Sequence, residues 1–219
     1  MRIRSCILTT LFIGGGLYAD SSRPEILDRI RDYDLRHSDL LVKIVKDPET
    51  LRYAKVRALE KISVLYQQSK TEGELVAQRY LDGINAGLVH KSPDVREAAC
   101  GAAIVFKESA VAQPIATSVS KALKEENHPV VIAACAHTLS AYTKFPDLAI
   151  PALLAKIEKY LTDFQDSSDD EKALREVCHT LGILKARKSF IPLLKLLQSR
   201  YDEDVKSAAQ EAIQAIRVH

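Results

Sequence analysis

Five residues in this 219-residue chain have types and spacing that could do chemistry: Cys100, Cys135, Cys178, His137 and His179. His137 lies two residues beyond Cys135, and His179 lies one beyond Cys178, so a thiol–imidazole pair is conceivable. Such a pair needs an exposed, low-pKa thiol and an oriented base. Against it, all three cysteines fall at the eighth residue after a candidate helix N-cap: Ser92, Asn127 and Asp170. Equivalent positions on successive helices point to packing. Glu176 and His179 also form a Glu-x-x-His run. A di-iron bundle site requires two such runs and two further glutamates; this run reads instead as a helix-surface pair. No Gly-rich phosphate loop, Cys-x-x-Cys, His-Glu-x-x-His or Gly-x-Ser-x-Gly occurs. The reading is of no catalytic residue, no metal and no cofactor.

The elements that would hold these residues repeat along the chain. Segments starting at Ser92, Asn127, Asp170 and Asp202 align without gaps over their first eight residues or more. Each opens on a side chain able to accept a hydrogen bond from an unpaired first-turn N–H. Apolar residues then recur at helical spacing, as in Val95, Ala99, Ala103 and Phe106, or Val205, Ala209, Ile213 and Ile216. Asp47-Pro48 opens a fifth copy with a one-residue slip and the stripe Leu51, Ala54, Ala58, Ile62. A second helix follows, marked by a proline near its start: Pro114, Pro151 and Pro192. Paired helices at such intervals are the signature of a helical solenoid. Packed helices lie about 8–10 Å apart and a disulfide needs Cα atoms within about 7 Å, so the cysteines are expected to be buried thiols. An intermolecular bridge through one exposed cysteine is the alternative.

The pattern resembles the HEAT repeat family. Asp94-Val95-Arg96-x-Ala98-Ala99 and Asp204-Val205-Lys206-x-Ala208-Ala209 carry the resemblance on the first helices. Ile150-Pro151-x-Leu153-Leu154 and Ile191-Pro192-Leu193-Leu194 carry it on the second. It implies an all-α fold: a right-handed α-solenoid of about four to five helix-pair repeats over 47–219, with N-terminal capping helices in 20–46. Repeats fall at roughly 47–90, 91–126, 127–165 and 168–201, and a polar final helix caps the end at about 203–217. The copy at Asn127 lacks the Asp and the Arg, so a ladder of Asp–Arg contacts between repeats must break in the middle. HEAT-type hydroxylases bind paired irons through His-Glu dipeptides, which this chain lacks. Phycobilin lyases, which handle chromophores, are also similar in fold.

Residues 1–19 read as a secretory signal peptide. Arg2 and Arg4 precede an apolar run from Cys6 to Ile13, and Ala19 stands before Asp20. The run is too short to span a bilayer core of ~30 Å, so stable membrane insertion is not expected. An exported protein, periplasmic or secreted, follows. The formal charge is +2, and loss of Arg2 and Arg4 makes it neutral. Together with the absence of Trp, this argues against a nucleic-acid partner. Ala and Leu each occur 26 times against 8 Gly and 8 Pro, which suits helices throughout. Function then points to a non-enzymatic scaffold holding a protein partner on the second helices. The polar residues expected there are Gln78, Asp82, Lys121, Lys124, Lys156, Lys159 and Lys195. Chromophore or cofactor handling, and a structural place in an envelope assembly, are the alternative functions.

Overall fold

The computed structural model describes residues 25–68, 70–165 and 167–217; the signal-peptide reading falls outside them. Among the described residues there are eleven α-helices and no strand. They are α1 (Glu25–Asp32), α2 (Ser38–Lys46), α3 (Arg52–Gln68), α4 (Lys70–Leu88), α5 (Pro93–Ala103), α6 (Ala112–Glu125), α7 (Pro129–Ser140), α8 (Pro146–Thr162), α9 (Ser168–Ile183), α10 (Phe190–Leu197) and α11 (Glu203–Arg217). They stack in two layers. Layer A is α3, α5, α7, α9 and α11, each packed on the next; layer B is α2, α4, α6, α8 and α10. The α1 helix lies against α3. From α6 onward each layer-B helix leans on the layer-A helix that follows it rather than on the one before. The described residues thus form an all-α solenoid of stacked helices.

The buried sets of α4, α6 and α8 coincide position for position. Tyr80, Ile115 and Ala152 occupy one position; Leu81, Ala116 and Leu153 the next; Ile84, Val119 and Lys156 a third. One apolar stripe per helix thus recurs in phase, and each helix hides it against its neighbours. Layer A is further tied by side chains that donate across it. Thr138 Oγ1 donates to the Cys100 carbonyl (2.8 Å), Thr180 Oγ1 to that of Ala136 (3.0 Å), and Tyr142 to that of Ala103 (2.6 Å).

These bonds correct the cysteine register. Thr138 and Thr180 do the same work, so Ala136 is the counterpart of both Cys100 and Cys178, and Cys135 sits one residue earlier. The slip follows from the helix starts. The N-cap of α7 is His128, not Asn127, because Pro129 sets the first turn; that of α9 is Ser167, not Asp170. Ser167 Oγ accepts from the Asp170 N–H at 3.1 Å, so Asp170 lies inside the first turn. Likewise Pro48 precedes α3 instead of entering it, and Pro151 lies inside α8, which begins at Pro146. Pro151 faces solvent, where the carbonyl its missing N–H leaves unpaired can be hydrated. Asp202 does cap α11, accepting from the Val205 N–H at 2.8 Å.

Candidate functional site

Every α-helix ends in carbonyls with no partner inside the helix, and in layer B those ends are met by long side chains. Lys55 of α3 donates to the Val45 and Asp47 carbonyls at the end of α2 (3.0 and 2.6 Å). Arg96 of α5 donates to the His90 and Lys91 carbonyls beyond α4 (2.8 and 3.1 Å). Lys156 of α8 donates to the Lys124 and Glu126 carbonyls at the end of α6. The Tyr201 hydroxyl donates to the Tyr160 carbonyl of α8 (2.9 Å). A cation there also complements the negative end of the helix dipole.

Lys156 therefore departs from the expected surface strip. It is 3% exposed at a core position, and its ammonium is spent on carbonyls. Desolvation holds its pKa below the ordinary lysine value. The other expected residues are exposed on layer B: Gln78 and Asp82 on α4, Lys121 and Lys124 on α6, Lys159 on α8 and Lys195 on α10. Lys159 reaches Asn127 Oδ1 at 2.6 Å.

One cleft on this side draws several groups together. It holds about 840 Å³ between the ends of α4 and α6 and the start of α7. Asn85, Val89, His90, Arg96, Lys121, Glu126 and His128 are among its walls. Of the polar residues expected on the second helices, only Lys121 lines it. Its floor is a buried ion pair: Arg96 Nε and Nη2 donate to the two oxygens of Glu126 at 2.6 and 2.9 Å, the side chains being 18% and 7% exposed. Glu126 Oε1 also accepts the Asn127 and His128 N–H groups, both at 2.9 Å, at the start of α7. Burial raises the Glu126 pKa, but Arg96 and these N–H groups outweigh it and hold it below the ordinary value.

His90 accepts the Ser92 N–H on Nδ1 at 3.0 Å, which leaves its proton on Nε2. Desolvation and the charges of Lys55, Lys91 and Arg96 lower its pKa, so the ring is neutral at pH 7. Asn85 Oδ1 is buried in the wall without a hydrogen-bond partner. Val89, at the mouth, is 80% exposed. The signal for Val89 was present in the sequence: it is a large aliphatic residue one step past the last stripe position, Leu88, leading into the polar turn His90-Lys91-Ser92.

Cys100, Cys135 and Cys178 are buried and unbridged. The Cys100 thiol meets Cys135, and that hydrogen bond with burial holds its pKa well above the usual range. Burial alone pushes Cys178 up to about 12. His137 Nδ1 lies 3.0 Å and His179 Nδ1 4.0 Å from Glu176 Oε1, on the outer face of layer A. Neither imidazole pairs with a thiolate. Among the described residues no group of three or more His, Cys, Asp or Glu side chains is placed to hold a metal, and no helix is long and apolar enough to cross a membrane. The Asp–Arg contacts stand at the two ends, Arg52–Asp94 at 3.2 Å and Arg175–Asp204 at 2.7 Å, and none is formed between α5 and α7 among the described residues.

No family model and no curated protein matches the chain. Solved structures do. An engineered protein whose crystal structure was determined by the Northeast Structural Genomics Consortium is 18% identical, with a TM-score of 0.56 over 90% of this chain and 85% of its own. A designed armadillo repeat protein is 17% identical, with a TM-score of 0.53 over 90% of this chain and 88% of its own. At these identities the likeness is one of fold.

Proposed function

We propose that this protein is an exported, non-enzymatic scaffold that holds a segment of a protein partner in the cleft between α4 and α6. The exposed aliphatic Val89 at the mouth of that cleft carries the reading. A valine four-fifths exposed and an unpartnered buried carbonyl oxygen line the same cleft, and both would gain from a partner seated there. An aliphatic side chain of the partner would cover Val89. A partner N–H would satisfy Asn85 Oδ1, and the His90 Nε2–H offers a donor to a partner carbonyl. Lys121 at the rim favours a partner with an acidic residue beside its apolar anchor. Export is supported by the charged, then apolar, then small-residue order of residues 1–19.

The test is affinity capture from the native envelope with wild type and with the Val89→Glu/Lys121→Glu double variant. Both residues are exposed, so the variant keeps the wild-type unfolding curve. One or more partners captured by wild type and lost by the variant is the expected result. Identical capture profiles would retire the cleft as the docking site.

A further inference from the structure

The outward face of layer B changes character at α10. On the buried stripe, Leu193 and Leu196 of α10, both 0% exposed, correspond to Leu153 and Lys156 of α8 and to Ala116 and Val119 of α6. Ile191 then stands at the position of Pro114 and Pro151, and Leu194 at that of Thr117 and Leu154. Pro151 is exposed although α10 packs beside α8, so the position looks away from the neighbouring helix. There α10 carries Ile191, 65% exposed, and Leu194, 37% exposed. With Lys195 and Gln198 they follow at i, i+3, i+4 and i+7, a single exposed face.

The charges around this face have one sign. From Val177 to Tyr201 the sequence holds five Lys or Arg and no Asp or Glu. Lys188 stands one turn before Ile191, Lys195 one turn after it, and Arg200 in the turn that follows; all three are exposed. Arg217 of α11 lies over the Phe190 ring, 5.1 Å from its centroid, and adds a fourth cation. The carboxylates at the adjoining start of α11 have partners within the fold: Asp202 the Val205 N–H, Glu203 the Lys206 ammonium and Asp204 the Arg175 guanidinium. With α11 included, residues 177–217 still hold seven Lys or Arg against four Asp or Glu.

This combination selects an occupant. A second copy docked on the same face would set like charges against each other. A side chain as exposed as Ile191 stands proud of the surface. A folded partner would need a hole shaped to it, whereas the headgroup layer of a bilayer yields around it. Exposed Lys and Arg stems can lie along that layer with their charges among the headgroups. Apolar side chains bordered by cations are thus complementary to anionic lipid. We propose that the outward face of α10 docks on an anionic bilayer surface. Ile191 and Leu194 enter the headgroup layer, and Lys188, Lys195 and Arg200 meet lipid phosphates. The contact is adsorption, with no helix crossing the bilayer. It uses none of the residues of the α4–α6 cleft and does not depend on what the cleft holds.

The chain has no Trp, so Ile191→Trp in the full chain places a lone reporter at the contact itself, blind to binding through any other segment. Its emission should move to the blue with vesicles of phosphatidylglycerol and phosphatidylcholine in equal parts, and stay in place with phosphatidylcholine alone. Adding Leu194→Glu should weaken the partition, read from the lipid titration, at least tenfold. Lys188→Glu/Lys195→Glu should do the same, since each Lys or Arg near an anionic leaflet tightens adsorption about fivefold; so should salt at about 0.5 M. Thermal midpoints should not change, because these side chains are solvated in the fold. Val89→Trp, the matching reporter in the cleft, should keep its emission, and Val89→Glu/Lys121→Glu should leave the Ile191→Trp shift intact. Equal shifts on the two kinds of vesicle, no shift on either, or a shift that survives Leu194→Glu would overturn the proposal. So would a larger shift from a glutamate-flanked, leucine-striped helical peptide, or from raising the protein concentration alone, since a protein partner or a second copy would then own the face.

Discussion

Removing the Glu126 carboxylate should be among the costliest single changes to this fold, and the cost should depend on pH. Glu126 forms two charge-assisted bonds with Arg96 and accepts two N–H groups at the start of α7, with only 7% of its side chain exposed. Truncating one partner of a buried pair costs about 3–5 kcal/mol, because the other charge stays buried without its counterion. Arg96 keeps two carbonyl acceptors and some exposure, which favours the lower part of that range; the Asn127 and His128 N–H groups left without their acceptor add about 1 kcal/mol. Glu126→Ala should therefore cost about 4 kcal/mol, a fall in thermal midpoint of roughly 8–16 °C for a chain this size. Glu60→Ala, which breaks an exposed pair with Arg57, should cost under about 0.5 kcal/mol.

The pKa of folded Glu126 is lowered, so its stabilisation is present above the ordinary glutamate range and is lost as pH falls through the folded value. Urea unfolding followed by circular dichroism, at pH 7 and in steps below pH 5, reads both effects. The gap between wild type and Glu126→Gln should be widest at pH 7 and close in acid. A gap that stays constant with pH, or a Glu126→Ala cost below about 1 kcal/mol, would show that the pair does not hold the α5–α7 junction as described.

Two further predictions rest on packing. At Gly87 an added Cβ would meet Ala99 Cβ at 2.8 Å and Leu59 Cδ1 at 3.2 Å, whereas at Gly101 it meets nothing within 4 Å. Gly87→Ala should thus destabilise by about 1–3 kcal/mol, and Gly101→Ala, exposed on α5, should stabilise by roughly 0.5–1 kcal/mol; equal signs in thermal denaturation would contradict this crossing of α4 over α5. Cys100, Cys135 and Cys178 should resist a maleimide reagent at pH 8 in the native protein and react once it is unfolded in urea; stoichiometric labelling of the native chain would place a thiol at the surface.

The stacking of the helices was legible in the sequence because burial imposes a period that outlasts substitution. Val95, Ala99, Val205 and Ala209 differ in size yet keep one stripe, and all four are 0% exposed. Starts of helices were less legible. Asn127 and Asp170 are good caps by type, but Pro129 and Ser167 fix the first turns one residue later and three residues earlier. One residue of slip was enough to misplace Cys135. Lys156 was misread by type against phase: it lies four residues after Ala152 and four before Tyr160, on the buried stripe of α8, and its charge alone suggested the surface. The cleft escaped detection because its walls come from α4, α5, α6 and α7, and no segment of the chain contains it.

The degenerate repeats follow a rule that no single copy displays. At the ends of α2, α6 and α8, and in the turn just beyond α4, carbonyls without a helical partner are met by a donor side chain from another helix or turn. Lys55 and Arg96 occupy the same position on α3 and α5 and serve α2 and α4. On α7 that position is Ile132, only 2% exposed, so layer A supplies no donor for α6. The donor then comes from layer B itself: Lys156 stands where α4 has Ile84 and α6 has Val119, and it reaches the same kind of carbonyl from the opposite side. On α9 the position is Leu174, and the end of α8 is served by Tyr201. What the array conserves from unit to unit is the satisfied helix end. The residue that satisfies it can move between layers, which is why the repeat fades in sequence at Asn127 while the stack of helices continues through it.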